Sequence, residues 1–195
     1  MIAGAATYPD WVARAREHLD RVCGKNAERL PQWSDFDSLP YITAVVKESF
    51  RWRPNIAPLG APTTLIKDDE YEGYRFPAGT VFTWNAWYLE FDILFNFRAI
   101  ALSEKEYKDP MRYWPERFMN DDLNNALQGH WGFGPGKFAS VLYLILGRRV
   151  CVGWNVGQMN MWIATARLLY CFDFIQDPVG TFRARINHRQ TQLTR

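Results

Sequence analysis

Apolar positions recur every three or four residues in three stretches of this chain. Tyr8, Trp11, Val12, Ala15, Leu19 and Val22 fall on one face of a helix that follows Pro9 and stops at Gly24. Ile42, Val45, Val46, Ser49 and Phe50 define a second helix over residues 39–52, ended by Pro54, which has no N–H to continue it. Met159, Trp162, Ile163, Ala166, Leu169 and Tyr170 give a third, directly after Cys151. Between residues 63 and 86 the pattern shortens to β-type runs at 63–66, 74–76 and 80–86, punctuated by a turn near Asp68-Asp69 and another at Pro77-Ala78-Gly79. Residues 103–136, rich in Asp, Asn, Pro and Gly, read as loop. The expectation is a mainly α chain with a small β-sheet and no internal repeats.

At 195 residues and 48% hydrophobic, the chain is long enough to bury one substantial core, and the length suggests one domain or part of a larger one. Its 23 basic and 21 acidic residues are interspersed, with no basic run, so charge gives no case for nucleic acid as a partner. Three cysteines, Cys23, Cys151 and Cys171, form no even-numbered disulfide framework and point to a reducing compartment. The most apolar run, 138–146, is far short of the roughly 20 residues a membrane-spanning helix needs.

Chemistry concentrates at Gly147-Arg148-Arg149-Val150-Cys151-Val152-Gly153. A thiol beside arginines and just ahead of a helix N-terminus is biased toward thiolate, because nearby positive charge and the helix dipole both favour the anion. Thiolates ligate metals, the glycines let a flat ligand approach the backbone, and Arg149 is placed to meet a carboxylate on that ligand. Haem fits these requirements. A buried free cysteine beside a surface basic pair fits the same residues, whereas a thiol redox protein would need a CxxC partner that is absent. Elsewhere Glu48 and Arg51, three apart on the second helix, are neighbours on its surface. Alone they read as a solvated ion pair; with Arg117 from Pro115-Glu116-Arg117-Phe118 they could form a partly buried three-member network that locks loop to helix.

The ordered set Glu48-x-x-Arg51, Pro115-Glu116-Arg117-Phe118 and Phe133-Gly134-x-Gly136 with Arg148-Arg149-x-Cys151-x-Gly153 resembles the C-terminal part of the cytochrome P450 family, its fungal members especially. Leu39-Pro40-Tyr41, Arg51-Trp52-Arg53-Pro54, Phe76-Pro77-Ala78-Gly79-Thr80 and Tyr107-Lys108-Asp109-Pro110 add to the likeness. The resemblance implies the proximal-haem part of that fold, incomplete, with residues 1–195 as one partial domain. It implies haem b as cofactor, Cys151 as the axial thiolate on iron, Arg149 on a propionate, and Phe133 and Gly153 beside the cofactor. Glu48, Arg51 and Arg117 become a structural triad beneath the site. The implied reaction is oxygen insertion by a haem-thiolate monooxygenase, with electrons from an NAD(P)H-dependent reductase. The apolar segment 56–62 corresponds to a pocket-lining stretch and implies a hydrophobic small-molecule substrate.

Four departures qualify that picture. Family members carry several hundred residues before the matching point, including the distal helix with its oxygen-activating residues. The expected parent therefore sits on the cytosolic face of the endoplasmic-reticulum membrane through an anchor outside this sequence, and these residues alone are expected to be inactive, either as a truncated form or as a non-catalytic fragment with weak haem binding. An apolar face that packs on the missing half is an expected aggregation liability. Residues 137–147 split the cysteine motif and residues 88–98 interrupt a second family pattern; each reads as a retained intron remnant or as an extra hydrophobic loop. Thr63 stands where many relatives have a histidine that contacts a propionate. The stretch 175–195 reads as a solvated tail.

Overall fold

The computed structural model describes residues 1–25, 28–53, 62–82, 101–130, 133, 151–176 and 184–188. In chain order its elements are α1 (Ile2–Thr7), α2 (Asp10–Cys23), a 3₁₀ turn (Trp33–Ser38), α3 (Pro40–Trp52), β1 (Thr63–Thr64), β2 (Asp69–Tyr71), β3 (Tyr74–Phe76), β4 (Val81–Phe82), a second 3₁₀ turn (Pro115–Phe118), α4 (Trp154–Cys171), β5 (Phe172–Gln176) and β6 (Ala184–His188). They fall into two compact units, Met1–Arg51 with Met111–Arg195, and Trp52–Pro110.

In the first unit α2 forms where the apolar stripe predicts it. Asp10 places negative charge in its first turn, and Gly24 ends it at φ 88°, a left-handed conformation in which a side chain would be strained. Trp11, Val12, Ala15, Leu19 and Cys23 are buried along its inner face. Tyr8 belongs instead to the end of α1, so the single expected opening helix is two. Gly4 in α1 is a packing requirement, since a Cβ there would lie 2.5 Å from the Tyr113 ring.

Helix α3 differs from its expected one-faced pattern. Every residue from 41 to 51 is buried, which makes α3 the centre of the unit and forces Lys47, Glu48 and Arg51 to find partners inside it. Helix α4 buries Trp162, Thr165, Ala166, Leu169 and Tyr170. Met159 is exposed and Ile163 half-buried, so the buried stripe is displaced from the predicted one and runs through Thr165. The Trp162 indole N–H donates to Thr43 Oγ1 at 3.2 Å, tying α4 to α3.

Two side chains stitch α4 to α2. Arg16 donates from Nε to Leu169 O at 3.1 Å and from Nη2 to Phe172 O at 2.6 Å, satisfying carbonyls at the C-terminal end of α4, and pairs with Asp173. The Tyr170 hydroxyl reaches Cys23 O at 3.1 Å and Gly24 O at the end of α2. Beyond α4, β5 pairs antiparallel with β6, Phe172 opposite His188 and Gln176 opposite Ala184. Residues 184–188 are therefore a paired strand, which corrects their reading as solvated tail: a run whose partner is a neighbouring strand carries no apolar signature of its own.

The second unit holds two antiparallel ladders among the described residues, β1 with β4 and β2 with β3. Strand β2 starts at Asp69, within the turn expected near Asp68-Asp69, and runs on through residues to which the sequence assigned no element. The hairpin is set by Glu72-Gly73, at φ 50° and 81°, the two left-handed central residues that match the twist of the flanking strands. Tyr71 and Tyr74 then face each other across the ladder. The remainder of the predicted run 80–86, the segment 54–61 and the insert 88–98 lie outside the described residues.

Candidate functional site

Helix α3 presents Glu48 and Arg51 on the side that meets the loop carrying the second 3₁₀ turn. Arg51 Nε donates to Glu48 Oε2 at 2.7 Å and Arg51 Nη2 to Glu48 Oε1 at 2.7 Å, a two-pronged pair with neither side chain exposed to solvent. Arg117 Nε lies 3.2 Å from Glu48 Oε2, and the Trp114 main-chain N–H donates to Glu48 Oε1 at 2.8 Å. One carboxylate thus serves two guanidinium groups and a peptide N–H. Arg51 and Arg117 each also donate to Arg112 O at 3.3 Å, so both cations hold the loop's main chain as well as the acid. The solvated reading of the Glu48 and Arg51 pair does not hold; the three-member network forms, and forms buried.

A second acid extends this lock. Glu116 accepts from the Tyr41 hydroxyl at 2.8 Å and from Arg14 at 2.6 Å, joining the 3₁₀ turn to α3 and α2. Burial and the adjacent Glu116 push the Tyr41 hydroxyl far above the usual phenol range, which keeps it a donor. Tyr113, fully buried, donates to Val45 O at 2.8 Å and shares a 2.7 Å hydrogen bond with Ser49.

Cys151 sits at the other end of a contact chain that starts on α3. The ring of Phe50 meets that of Phe133 at 4.8 Å, and Phe133 O accepts the Cys151 N–H at 3.0 Å. Trp154 N–H then donates to Cys151 O at 3.2 Å, closing the turn into α4. The Cys151 thiol is exposed, two residues before Gly153, the N-cap of the 18-residue α4. Gly153 leaves the sulfur side open: a Cβ there would meet nothing nearer than Cys151 Sγ at 3.9 Å. Gly157, one turn on, lets Phe133 approach, since a Cβ would lie 3.2 Å from its ring.

Haem is tested against these residues by the donor and its surroundings. A soft sulfur donor that faces outward, its main chain fully bonded and its neighbours Val152 and Val156 exposed and apolar, suits an iron porphyrin laid against it. The group fits. Of the predicted site residues, the structure joins Glu48 with Arg51 and Arg117, and Cys151 with Phe133 and Gly153; Arg149 lies outside the described residues, as does the insert 137–147. Thr63 is exposed on β1 in the second unit.

Two buried basic side chains beside this chain of contacts had no clear signal in the sequence. Lys47 donates to Asp122 O at 2.5 Å and lies over the Phe118 ring, with burial lowering its pKa to about 8. His130 stacks on Phe50 at 5.1 Å and tilts against Phe133 at 5.7 Å, its pKa pushed down to about 3, first by burial and then by Lys47. The only sequence signal was a histidine within an aromatic stretch shortly before Phe133. Among the described residues no cluster of His, Cys, Asp and Glu could hold a metal ion.

Fold and contacts define a helical scaffold that braces an outward-facing cysteine at the head of its last helix. The family model for cytochrome P450 matches residues 1–192, and the chain belongs to that family. It is 35% identical over 175 residues to the cytochrome P450 monooxygenase macC of Penicillium terrestre, covering 89% of this chain and 30% of that protein. It is 39% identical over 170 residues to criE of Aspergillus cristatus, covering 87% of this chain and 26% of that protein. Among solved structures, a zebra fish cytochrome P450 with abiraterone aligns at TM-score 0.65 and 24% identity, over 97% of this chain and 42% of that one, which establishes the fold. The chain therefore spans between a quarter and a third of the length of these curated relatives. No helix among the described residues is long and apolar enough to cross a membrane.

Proposed function

We propose that this chain is the proximal scaffold of a haem-thiolate monooxygenase, with the Cys151 sulfur as the axial donor to haem b iron. The supporting observation is the unbroken path from the buried Glu48, Arg51 and Arg117 network along α3 to Phe50, Phe133 and the Cys151 N–H. When bound, haem supplies the oxygen chemistry, and thiolate ligation favours cleavage of the O–O bond.

The work of this chain's own residues is positional. Glu48 fixes two guanidinium groups, these fix the main chain at Arg112, and the rigid α3 presents Phe50 to Phe133. Phe133 O holds the Cys151 N–H, which directs that donor away from the sulfur and sets where the sulfur points. Phe133 and Gly153 shape the surface next to it. Arg149, two residues before the sulfur, is the propionate partner in this reading.

Oxygen insertion, a hydrophobic substrate, an NAD(P)H-dependent reductase and attachment to the endoplasmic-reticulum membrane belong to the whole protein, of which residues 1–195 make one partial domain. These residues alone bind haem without turning over substrate. The inserts 88–98 and 137–147 are retained intron sequence. In support, Phe133 O and Cys151 N, on either side of the second insert, are hydrogen-bonded at 3.0 Å. Transcripts that abundantly retain both inserts in frame would overturn this part.

Titration of the chain with haem, followed by absorbance, tests the ligand assignment. Cys23→Ser and Cys171→Ser should take up haem as the parent sequence does, and Cys151→Ser should lose tight binding. Equal uptake by all three variants would refute it.

A further inference from the structure

We propose that His130 is a positioning residue for the cysteine turn, its flat ring acting as a plate that fixes Phe133 and through it the main-chain bond to Cys151. Three rings meet here in one cluster: His130 on Phe50 at 5.1 Å and 20°, Phe50 on Phe133 at 4.8 Å, and His130 on Phe133 at 5.7 Å. Phe133 is thus gripped from α3 and from the loop, while Gly157 on α4 admits its edge. The one atom of Phe133 that leaves the cluster as a hydrogen-bond partner for the turn is its carbonyl oxygen, and Cys151 N–H takes it at 3.0 Å.

The position of His130 is itself over-determined. It hydrogen-bonds the main chain of Ala126 and is 5% exposed. A void of about 10 Å³, on the scale of a single water, is all that remains among His130, Phe133, Phe50, Thr43, Lys47 and Trp162. The charged group beside it is Lys47 on α3, which donates to the Asp122 carbonyl at 2.5 Å. Burial, and after it Lys47, keeps the imidazole neutral.

A side chain that merely fills space would stabilise the whole unit. A plate acting through Phe133 affects the Cys151 amide more than it affects the rest of α4. The consequence for haem rests on the reading of Cys151 as ligand, but the coupling is read in the chain without added haem, so its failure is separable from failure of that reading.

Amide hydrogen exchange of the full chain tests the proposal, with Leu169 in the same helix as internal reference. In His130→Ala the Cys151 amide should exchange about tenfold faster with Leu169 unchanged, while His130→Phe, which keeps a flat ring, should stay within about twofold of the parent. Acceleration of both amides by the same factor in His130→Ala shows a purely structural role and overturns the proposal, as does unchanged Cys151 exchange. Should His130→Ala not fold, His130→Phe decides alone: loss of Cys151 protection there, with Leu169 intact, refutes the plate.

Discussion

Glu48→Gln is the perturbation that reports most on how this scaffold is held. The substitution keeps volume and shape and removes the one negative charge that the Arg51 and Arg117 side chains, 0% and 7% exposed, share. It also turns an amide NH₂ toward donors that had shared a carboxylate. Leaving buried charge uncompensated costs about 3–5 kcal/mol, against a total folding free energy of about 5–15 kcal/mol. Arg117→Met breaks the same network from the other side but leaves Glu48 bonded to Arg51 at 2.7 Å and to the Trp114 N–H at 2.8 Å, so about 1–2 kcal/mol is expected. Urea unfolding followed by circular dichroism measures both, and an unchanged slope shows that stability alone has moved. The reasoning is refuted if Glu48→Gln costs no more than Arg117→Met.

Three further outcomes follow from other parts of the unit. His130 is buried neutral with its pKa lowered from 6.5 to about 3, so the unfolded chain takes up a proton that the folded chain refuses; stability falls as pH drops through 6.5 toward 3, by about 2 kcal/mol between pH 7 and pH 5, and His130→Phe should flatten that dependence in urea titrations at the two pH values. Gly4→Ala should destabilise by about 1–3 kcal/mol despite the better helix propensity of alanine, because the added carbon lies 2.5 Å from a Tyr113 ring pinned by Val45 and Ser49; a thermal melt that rises would contradict this. Arg16→Ala should cost about 1–2 kcal/mol by releasing Leu169 O and Phe172 O at the end of α4, read as a lower melting temperature.

Local signals carried much of this structure. Gly24, the α2 stripe and the spacing of Glu48 and Arg51 were readable because each depends on neighbours a few residues away, and the family motifs supplied Arg117 and Cys151. What escaped depends on distant partners. Nothing near Lys47 in sequence says that Asp122 and Phe118 will enclose it, so its burial was invisible. Thr165 joins the buried stripe of α4 because the position faces the core, while Met159, more apolar, faces out. Strand β2 was hidden by Asp69 and Glu70, acidic residues with low strand preference, and it forms because Glu72-Gly73 makes the hairpin turn. The pairing of β6 with β5 needs a partner eight or more residues upstream, which no periodicity within residues 184–188 announces.

The account stands on the Cys151 sulfur as the donor to haem iron. Its most direct measurement is the absorbance of the reduced, carbon-monoxide-treated, haem-loaded chain. The account predicts the strongly red-shifted Soret band of thiolate ligation in the parent sequence and its disappearance in Cys151→Ser; a band that is absent from the parent, or that survives the substitution unchanged, would contradict it.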